Sequence, residues 1–175
     1  MNKTTVIISS PVDTYSGYGA RSRDVVKAII EMDKYDVKIL PQRWGSTPWG
    51  FIEDHSEWSF LGKFFFQPEP NKQYAKPDIW MQITIPNEFS PQGHYNIGMT
   101  AGIETTLCKP EWVEGCNRMN LILGSSNFSL DALTKSTYEK RDKNTNQVME
   151  KVQFSPNTKS EVLFEGFNSN VYKKT

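Results

Sequence analysis

The sequence has few of the residues that build cross-links and metal centres. Its 175 residues include only two cysteines, Cys108 and Cys116, which are too few for a disulfide framework. The two histidines, His55 and His94, lie far apart in the sequence and lack the spacing of zinc ligands. We therefore expect no metal site and a reducing, cytoplasmic location.

The sequence also lacks an excess of either charge and any long apolar run. Its 20 basic and 20 acidic residues cancel, and a pI of about 6.7 argues against a strongly basic nucleic-acid-binding domain. No apolar run approaches the length that spans a bilayer, and the N-terminus lacks the features of a signal peptide. Aromatic residues make up 13% of the chain, which together with the balanced charge argues against intrinsic disorder. The length predicts one domain over residues 1–175.

The apolar pattern changes its period twice near the N-terminus. Residues 4–9 form a β-branched run that is typical of a buried strand, and a loop with Gly17 and Gly19 follows it. From Ala20 onward the apolar residues take helical spacing, and residues 36–40 predict a second strand. This order of strand, glycine loop, helix and strand predicts a βαβ unit with parallel strands and a right-handed crossover.

Strands and helices continue to alternate along the chain. Further strands are predicted at residues 79–85, 95–100, 121–123, 152–154 and 162–164, with a turn over residues 165–168. Helices are predicted to begin near Pro110 and to run from Ser129 to about Tyr138. The alternation predicts an α/β fold of the Rossmann-like, doubly wound kind, with a mostly parallel sheet and helices on both faces.

Two stretches give weaker patterns. Residues 41–77 are rich in Trp, Pro and Gly, and they predict long loops with one short helix. Their aromatic residues suit either a binding surface or a local core beneath a loop, and we favour the local core. Residues 139–151 are polar and predict a hydrated helix end or a mobile loop.

Loops that follow parallel strands meet at the carboxyl edge of the sheet, where ligands bind in open α/β folds. The glycine loop offers backbone amides and a helix N-terminus to an anion such as a diphosphate. Arg21 and Arg23 follow the loop and could assist a phosphate or face water. The loop lacks the third glycine of the dinucleotide fingerprint and the Gly-Lys-Ser/Thr of an NTPase loop. These departures argue against NAD binding and Walker-type ATP hydrolysis, and such glycines are as often structural as functional.

Two more loops are predicted at the same edge. Glu104 follows the strand at 95–100, where a carboxylate could accept hydrogen bonds from sugar hydroxyls or act as a base. The alternative is that Glu104 caps a helix or pairs with an arginine. Residues 125–129 offer hydroxyls and the amide of Asn127 to a polar ligand, although Ser129 also suits a helix N-cap and Phe128 a packing role.

Three segments carry a pattern known from one enzyme family. They read SSPVDTYSGYGARSRDVVKAI (9–29), TAGIETTLCKPEWVEGCNRMNLILGSSNFSLDAL (100–133) and VLFEGFNSNVYKK (162–174). The middle segment is the most specific, since Glu104, Pro-x-Trp-Val from Pro110 and Ser-x-Phe-Ser from Ser126 occur in the family's order. Together the segments resemble the N-terminal half of retaining GT-B glycosyltransferases of the group 1, or family four, type, particularly the versions found in phages and bacteria.

The resemblance implies a division of labour between two domains. In that family the N-terminal domain mainly binds the acceptor, and a C-terminal Rossmann domain mainly binds the nucleotide-sugar co-substrate, without a metal or a covalently bound cofactor. The position match assigns Gly17 and Gly19 to the donor diphosphate and Glu104 to a catalytic contact with the sugar or acceptor. The substrate-binding residues that it implies are Tyr18, Arg21, Thr105, Ser126 and Asn127.

The sequence departs from the family because it shows no donor-binding second domain. We therefore expect this chain to be inactive alone. We expect it to be a fragment of a longer protein, one half of a split gene that works with a separate C-terminal half or by self-association, or a repurposed domain. The alternative is a non-catalytic binding or assembly module derived from a glycosyltransferase. A flavodoxin-like or NAD-binding protein is disfavoured by the incomplete glycine fingerprint. The donor sugar and the acceptor stay open, and modified DNA is one acceptor that the charge does not exclude.

Overall fold

The structure, a computed structural model, describes residues 3–167, 169, 172 and 173. The strands in this part of the chain are β1 (Thr4–Ser10), β2 (Tyr35–Pro41), β3 (Ile79–Ile83), β4 (Tyr95–Thr100), β5 (Leu121–Gly124), β6 (Thr137–Arg141), β7 (Val148–Gln153) and β8 (Lys159–Val162). The α-helices are α1 (Gly17–Glu31), α2 (Phe51–Asp54), α3 (Pro110–Asn117) and α4 (Asn127–Thr134). Two 3-10 segments span Ser56–Phe64 and Pro86–Glu88.

Six strands form one parallel sheet in the order β2-β1-β3-β4-β5-β8. The register places Val6 of β1 opposite Val37 of β2 on one side and Ile79 of β3 on the other. The predicted βαβ unit is therefore confirmed in its parallel pairing. Since the chain leaves β1 in one direction and returns to β3 on the other side, the order reverses between these strands. Such a reversal opens a crevice at the carboxyl edge.

Apolar side chains cover both faces of the sheet, because successive residues of a strand point to opposite sides. Val6 and Ile8 of β1 pack with Val26 of α1 in one core. Trp80 of β3 and Ile122 of β5 belong to a second core with residues of α3 and α4. This arrangement of helices on both faces confirms the predicted α/β, Rossmann-like class.

Helices α1 and α4 both begin earlier than the sequence predicts. The side chain of Ser16 accepts a hydrogen bond from the backbone N–H of Gly19 at 2.9 Å, so the helix starts at Gly17 rather than Ala20. Ser126 caps α4 in the same way by accepting from the backbone N–H of Ser129 at 3.1 Å. The prediction of Ser129 as the N-cap is therefore wrong by three residues. Both glycines of the predicted loop belong to the first turn of α1.

The aromatic stretch at 41–77 forms α2 and one longer 3-10 segment rather than a single short helix. Ile52 and Leu61 are buried in the core beside α1, and Trp58 and Phe64 pack against it. The interpretation of this stretch as a local core is confirmed for these residues. Trp44 has a different role, described below.

Residues 137–153 form an antiparallel hairpin of β6 and β7, so the prediction of a helix end or loop is wrong. Tyr138 hydrogen-bonds through its hydroxyl to the carbonyl of Cys108, and Val152 is buried in the second core. These two anchors face each other in the hairpin, which begins three residues after the end of α4 at Thr134. The last sheet strand is also earlier than predicted, and Asn168 of the predicted turn lies outside the described residues.

Neither cysteine is accessible to reagents. Burial raises the pKa of the Cys108 thiol, and it raises the pKa of Cys116 to about 12. Because the thiolate is the reactive form, we expect no reaction of the folded protein with Ellman's reagent at about pH 8, and two thiols after unfolding. Rapid labelling of both thiols in the native protein would contradict their burial.

Over the described residues, no helix combines the length and the apolar character needed to cross a bilayer.

Candidate functional site

A cavity of about 210 Å³ lies at the carboxyl edge of the sheet. Its lining comes from residues at or after the carboxyl ends of β1, β3, β4, β5 and β8, and from one residue in the loop after β2. The lining residues are Gly17, Tyr18, Arg21, Trp44, Ile83, Met99, Thr100, Ala101, Gly124, Ser125, Leu163 and Glu165. This is the position at which open parallel sheets bind their ligands.

The N-terminus of α1 forms one wall of this edge cavity. The first backbone N–H groups of a helix have no intrahelical acceptor, and Ser16 satisfies that of Gly19 alone. The amides of Gly17 and Tyr18 therefore keep their donor capacity at the positive end of the helix. Space for a ligand remains beside Gly17, since no atom lies within 4 Å of the place that a Cβ would occupy.

Tyr18 ties this wall to the end of β4. Its hydroxyl lies 3.0 Å from the hydroxyl of Thr100 and accepts a hydrogen bond from the backbone N–H of Ala101 at 3.1 Å. Its ring stacks on Trp44, with centroids 4.2 Å apart and an interplanar angle of 26°. The pair gives the cavity an aromatic side whose position is fixed by β4.

We expect Tyr18→Phe to lower the free energy of unfolding by about 1 to 2 kcal/mol, because it leaves the Ala101 amide without its acceptor. Urea denaturation measures the change. Tyr95→Phe is the matched control, since the Tyr95 ring is partly exposed and its hydroxyl makes no hydrogen bond within the described residues. Equal stability of the two variants would contradict the role of the Tyr18 hydroxyl.

Arg21 is the cation among the described residues that line the cavity. Its Nη2 donates to the carbonyls of Leu163 at 2.7 Å and Phe164 at 3.1 Å. These bonds attach the segment after β8 to α1 and bring Glu165 into the lining. The guanidinium keeps its other N–H groups for a ligand, since these two carbonyls take only one of its nitrogens.

The loop after β5 forms the third wall. Ser125 donates from its hydroxyl to the carbonyl of Ala101 at 3.0 Å and lines the cavity. Ser126 uses its side chain to cap α4, and Asn127 is exposed in the first turn of that helix. Ser125 therefore faces the cavity in place of the two predicted neighbours.

The predicted catalytic loop lies beside the cavity rather than in its wall. Glu104 and Thr105 are exposed in the loop between β4 and α3, and the Thr105 hydroxyl donates to the Leu107 carbonyl at 2.6 Å. The Cα of Gly19 faces Thr14, whose carbonyl oxygen would lie 2.3 Å from an added Cβ. The structure thus brings together three of the predicted residues, which are Gly17, Tyr18 and Arg21. It leaves five outside the cavity wall, which are Gly19, Glu104, Thr105, Ser126 and Asn127.

Sequence reasoning missed Trp44 and Glu165 as site residues, and it offered Ser125 only as one hydroxyl of the loop at 125–129. A usable signal existed for Ser125, because it directly follows a strand that ends at the carboxyl edge. Glu165 had the same signal, because it follows β8 in the structure and also directly follows the strand predicted at 162–164. Trp44 had no comparable signal, since only its stacking on Tyr18 brings it to the site.

The arrangement suits a small polar ligand whose negative charge faces Arg21 and the start of α1. Donors from α1 and Arg21 stand on one side, an aromatic pair stands on another, and the lining also includes the apolar Ile83 and Met99 and the Glu165 carboxylate. Within the described ranges, no group of three or more His, Cys, Asp or Glu side chains could hold a metal ion.

No protein family, curated protein or solved structure matches this chain.

Proposed function

We propose that this chain is the acceptor-side domain of a glycosyltransferase that uses a nucleotide-sugar donor. The observation that carries the proposal is the convergence of the three family-like segments on one cavity. Segment 9–29 supplies Gly17 and Arg21, segment 100–133 supplies Thr100 and Ser125, and segment 162–174 supplies Glu165. These segments are far apart in sequence, so their shared position supports a common role in one binding site.

The lining fits the demands of sugar transfer. Negative charge develops on the leaving diphosphate during transfer. Hydrogen-bond donors that are already fixed in position stabilise this charge best. The amides of Gly17 and Tyr18 and the guanidinium of Arg21 are held in this way by α1 and by the segment after β8. Glu104, on the exposed neighbouring loop, would contact a sugar or acceptor that extends beyond the cavity.

The rim of the sheet at its carboxyl edge favours a covering partner. Large apolar side chains are exposed on the loops and helix start that follow β4, β5 and β8, and an apolar rim of this kind is typical of an interaction surface. These side chains are Leu107, Phe128, Leu163, Phe164 and Phe167. A donor-binding domain would cover this rim in the transferase. In the alternative, a non-catalytic assembly module, another subunit would cover it.

A transfer assay tests the proposal. The chain is mixed with radiolabelled UDP-glucose or GDP-mannose and an acceptor panel of glycans and modified DNA, with and without a candidate donor-binding domain. We expect transfer only in the combined reaction, and we expect Arg21→Gln to lower it at least tenfold while Arg43→Gln, outside the cavity, leaves it unchanged. Transfer by this chain alone would overturn the proposed division of labour.

Absence of transfer together with self-association would favour the assembly module. Light scattering over a range of concentrations measures the mass, and Phe164→Ser with Phe167→Ser should reduce any association through the exposed rim. A strict monomer at high concentration would count against the assembly module.

A further inference from the structure

A second depression lies on the sheet face opposite α1, over β1, β2 and β3. Its volume is about 590 Å³, and its floor includes Ile7 and Ser9 of β1, Leu40 of β2 and Trp80 of β3. These residues alternate with Val6, Ile8 and Ile39, whose side chains pack toward α1. We call this depression the amide groove, after the glutamine side chains that line it.

The amide groove is open because the connection from β2 to β3 places its helical segments on the other face of the sheet, beside α1. A right-handed crossover would usually cover this face with a helix. Here the helical residues Ile52 and Leu61 pack in the core beside α1, and the irregular segment 66–77 forms one wall of the groove. The sheet face under that segment is therefore open in its middle.

Both walls of the amide groove are fixed by hydrogen bonds. The backbone N–H of Phe66 donates to the carbonyl of Ile39 at 2.7 Å, which attaches the first wall to β2. On the other side, Gln82 donates to the Glu88 carbonyl at 3.1 Å and accepts from the backbone N–H of Ser90 at 2.8 Å. A groove held in this way is formed before a ligand arrives, as is usual for ligand sites.

The lining is polar, aromatic and almost free of charge. Lys76 is the one charged side chain among the described residues that line it. Gln42 and Gln92 offer side-chain amides, and Tyr74 stands edge-on to Phe66 with ring centroids 5.1 Å apart. The groove thus combines uncharged hydrogen-bonding groups with aromatic surface.

Two polar groups of the floor have unused hydrogen-bonding capacity. Ser9 is 1% exposed, lines the groove and makes no side-chain hydrogen bond within the described chain. The buried Nε1–H of Trp80 also lacks a partner there. Buried polar groups are usually paired, so a water molecule or a ligand hydroxyl group can supply the partner that these groups lack.

We propose that the amide groove binds a neutral oligosaccharide. A sugar presents hydroxyls, which the amides of Gln42 and Gln92 and the Ser9 hydroxyl can pair, and an apolar C–H face, which can pack on the Tyr74 ring. The scarcity of charge disfavours phosphorylated and peptidic acidic ligands. The groove has the volume of ordinary ligand sites and is larger than the edge cavity. This proposal goes beyond sugar transfer and stands without it.

The test is a titration of the isotope-labelled chain with maltohexaose and with cellohexaose, followed by NMR. We expect shifts of the Gln42 and Gln92 side-chain amides and of the Trp80 indole N–H, with little change at the amides of Gly17 and Tyr18. Gln42→Ala should weaken binding roughly tenfold, whereas Gln67→Ala, in the wall segment 66–77 but outside the lining, should not.

Tyr74→Ala tests the aromatic contact against Tyr95→Ala, because the two rings are 40% and 39% exposed and only Tyr74 lines the groove. Failure of both saccharides to shift the three groove signals overturns the proposal, and so do shifts that survive Gln42→Ala and Tyr74→Ala. Groove signals that change with protein concentration alone would assign the surface to a second copy and also overturn it. A negative transfer assay leaves these outcomes unaffected, because binding is measured directly.

Discussion

Gly115→Ala is expected to destabilise the fold by about 2 kcal/mol, although alanine is the better helix former. A Cβ on Gly115 of α3 would lie 1.8 Å from the carbonyl oxygen of Pro86 and 2.4 Å from its carbonyl carbon. Overpacking of this kind costs about 3 kcal/mol when backbone must move, and the gain in helix propensity returns at most about 1 kcal/mol. Urea denaturation followed by circular dichroism measures the difference.

The Pro86 carbonyl cannot shift at a low energetic cost, because Arg118 holds the 3-10 segment that begins at Pro86. The Arg118 side chain donates to the carbonyls of Phe89 at 2.8 Å and Asn87 at 2.9 Å. Gly62→Ala is the matched control, since no atom lies within 4 Å of its Cβ position, and its stability should change by less than about 0.5 kcal/mol. A Gly115→Ala variant as stable as the parent would show that the helix and the segment separate easily.

Five of the six sheet strands, all except β8, could be predicted from the sequence, because they are β-branched or apolar runs with clear ends. β4 was predicted at 95–100 and spans Tyr95–Thr100, since Ala101 and Gly102 end the apolar alternation. Local composition suffices for such strands, because burial on both faces demands apolar residues all along them.

The β6–β7 hairpin could not be predicted from the local sequence in the same way. Most of its side chains are charged or polar and exposed, and a local pattern of that kind resembles a loop. The hairpin is fixed by Val152 in the second core and by the bond from Tyr138 to the Cys108 carbonyl, which join residues distant in sequence. Tertiary contacts of this kind override weak local propensity.

The sequence predicted the position of the edge cavity, but only some of the residues that line it. Gly17, Tyr18 and Arg21 line it because the turn after β1 points them there. Ser126 does not, since it caps α4 and leaves Ser125 to face the cavity. The predicted cap, Ser129, lies three residues after the actual cap, and such a shift, which sequence patterns do not resolve, changes which hydroxyl reaches the site.

Arg23→Leu is expected to cause the largest loss, about 4 kcal/mol in the free energy of unfolding. Arg23 is 4% exposed, and its Nη1 donates to the carbonyls of Val12 at 2.8 Å and Thr14 at 3.0 Å. Leucine would leave two buried carbonyls unpaired, at about 1–3 kcal/mol each. It would also remove the guanidinium from the face of Phe51, where Cζ lies 3.4 Å from the ring centroid.

The same substitution should disturb the site, because residues 11–16 connect β1 to the first turn of α1. Arg23 is buried and donates hydrogen bonds to carbonyls of this connection. Its loss should therefore shift the NMR signals of Gly17 and Tyr18 as well as the denaturation midpoint. Arg23→Lys keeps the charge but not the planar fork, and we expect an intermediate loss of about 2 kcal/mol. Arg43→Leu, on an exposed arginine, is the matched control. If Arg23→Leu costs less than about 1 kcal/mol, or leaves the Gly17 and Tyr18 signals in place, Arg23 does not fix the entry to α1, and the geometry of the edge cavity has another cause.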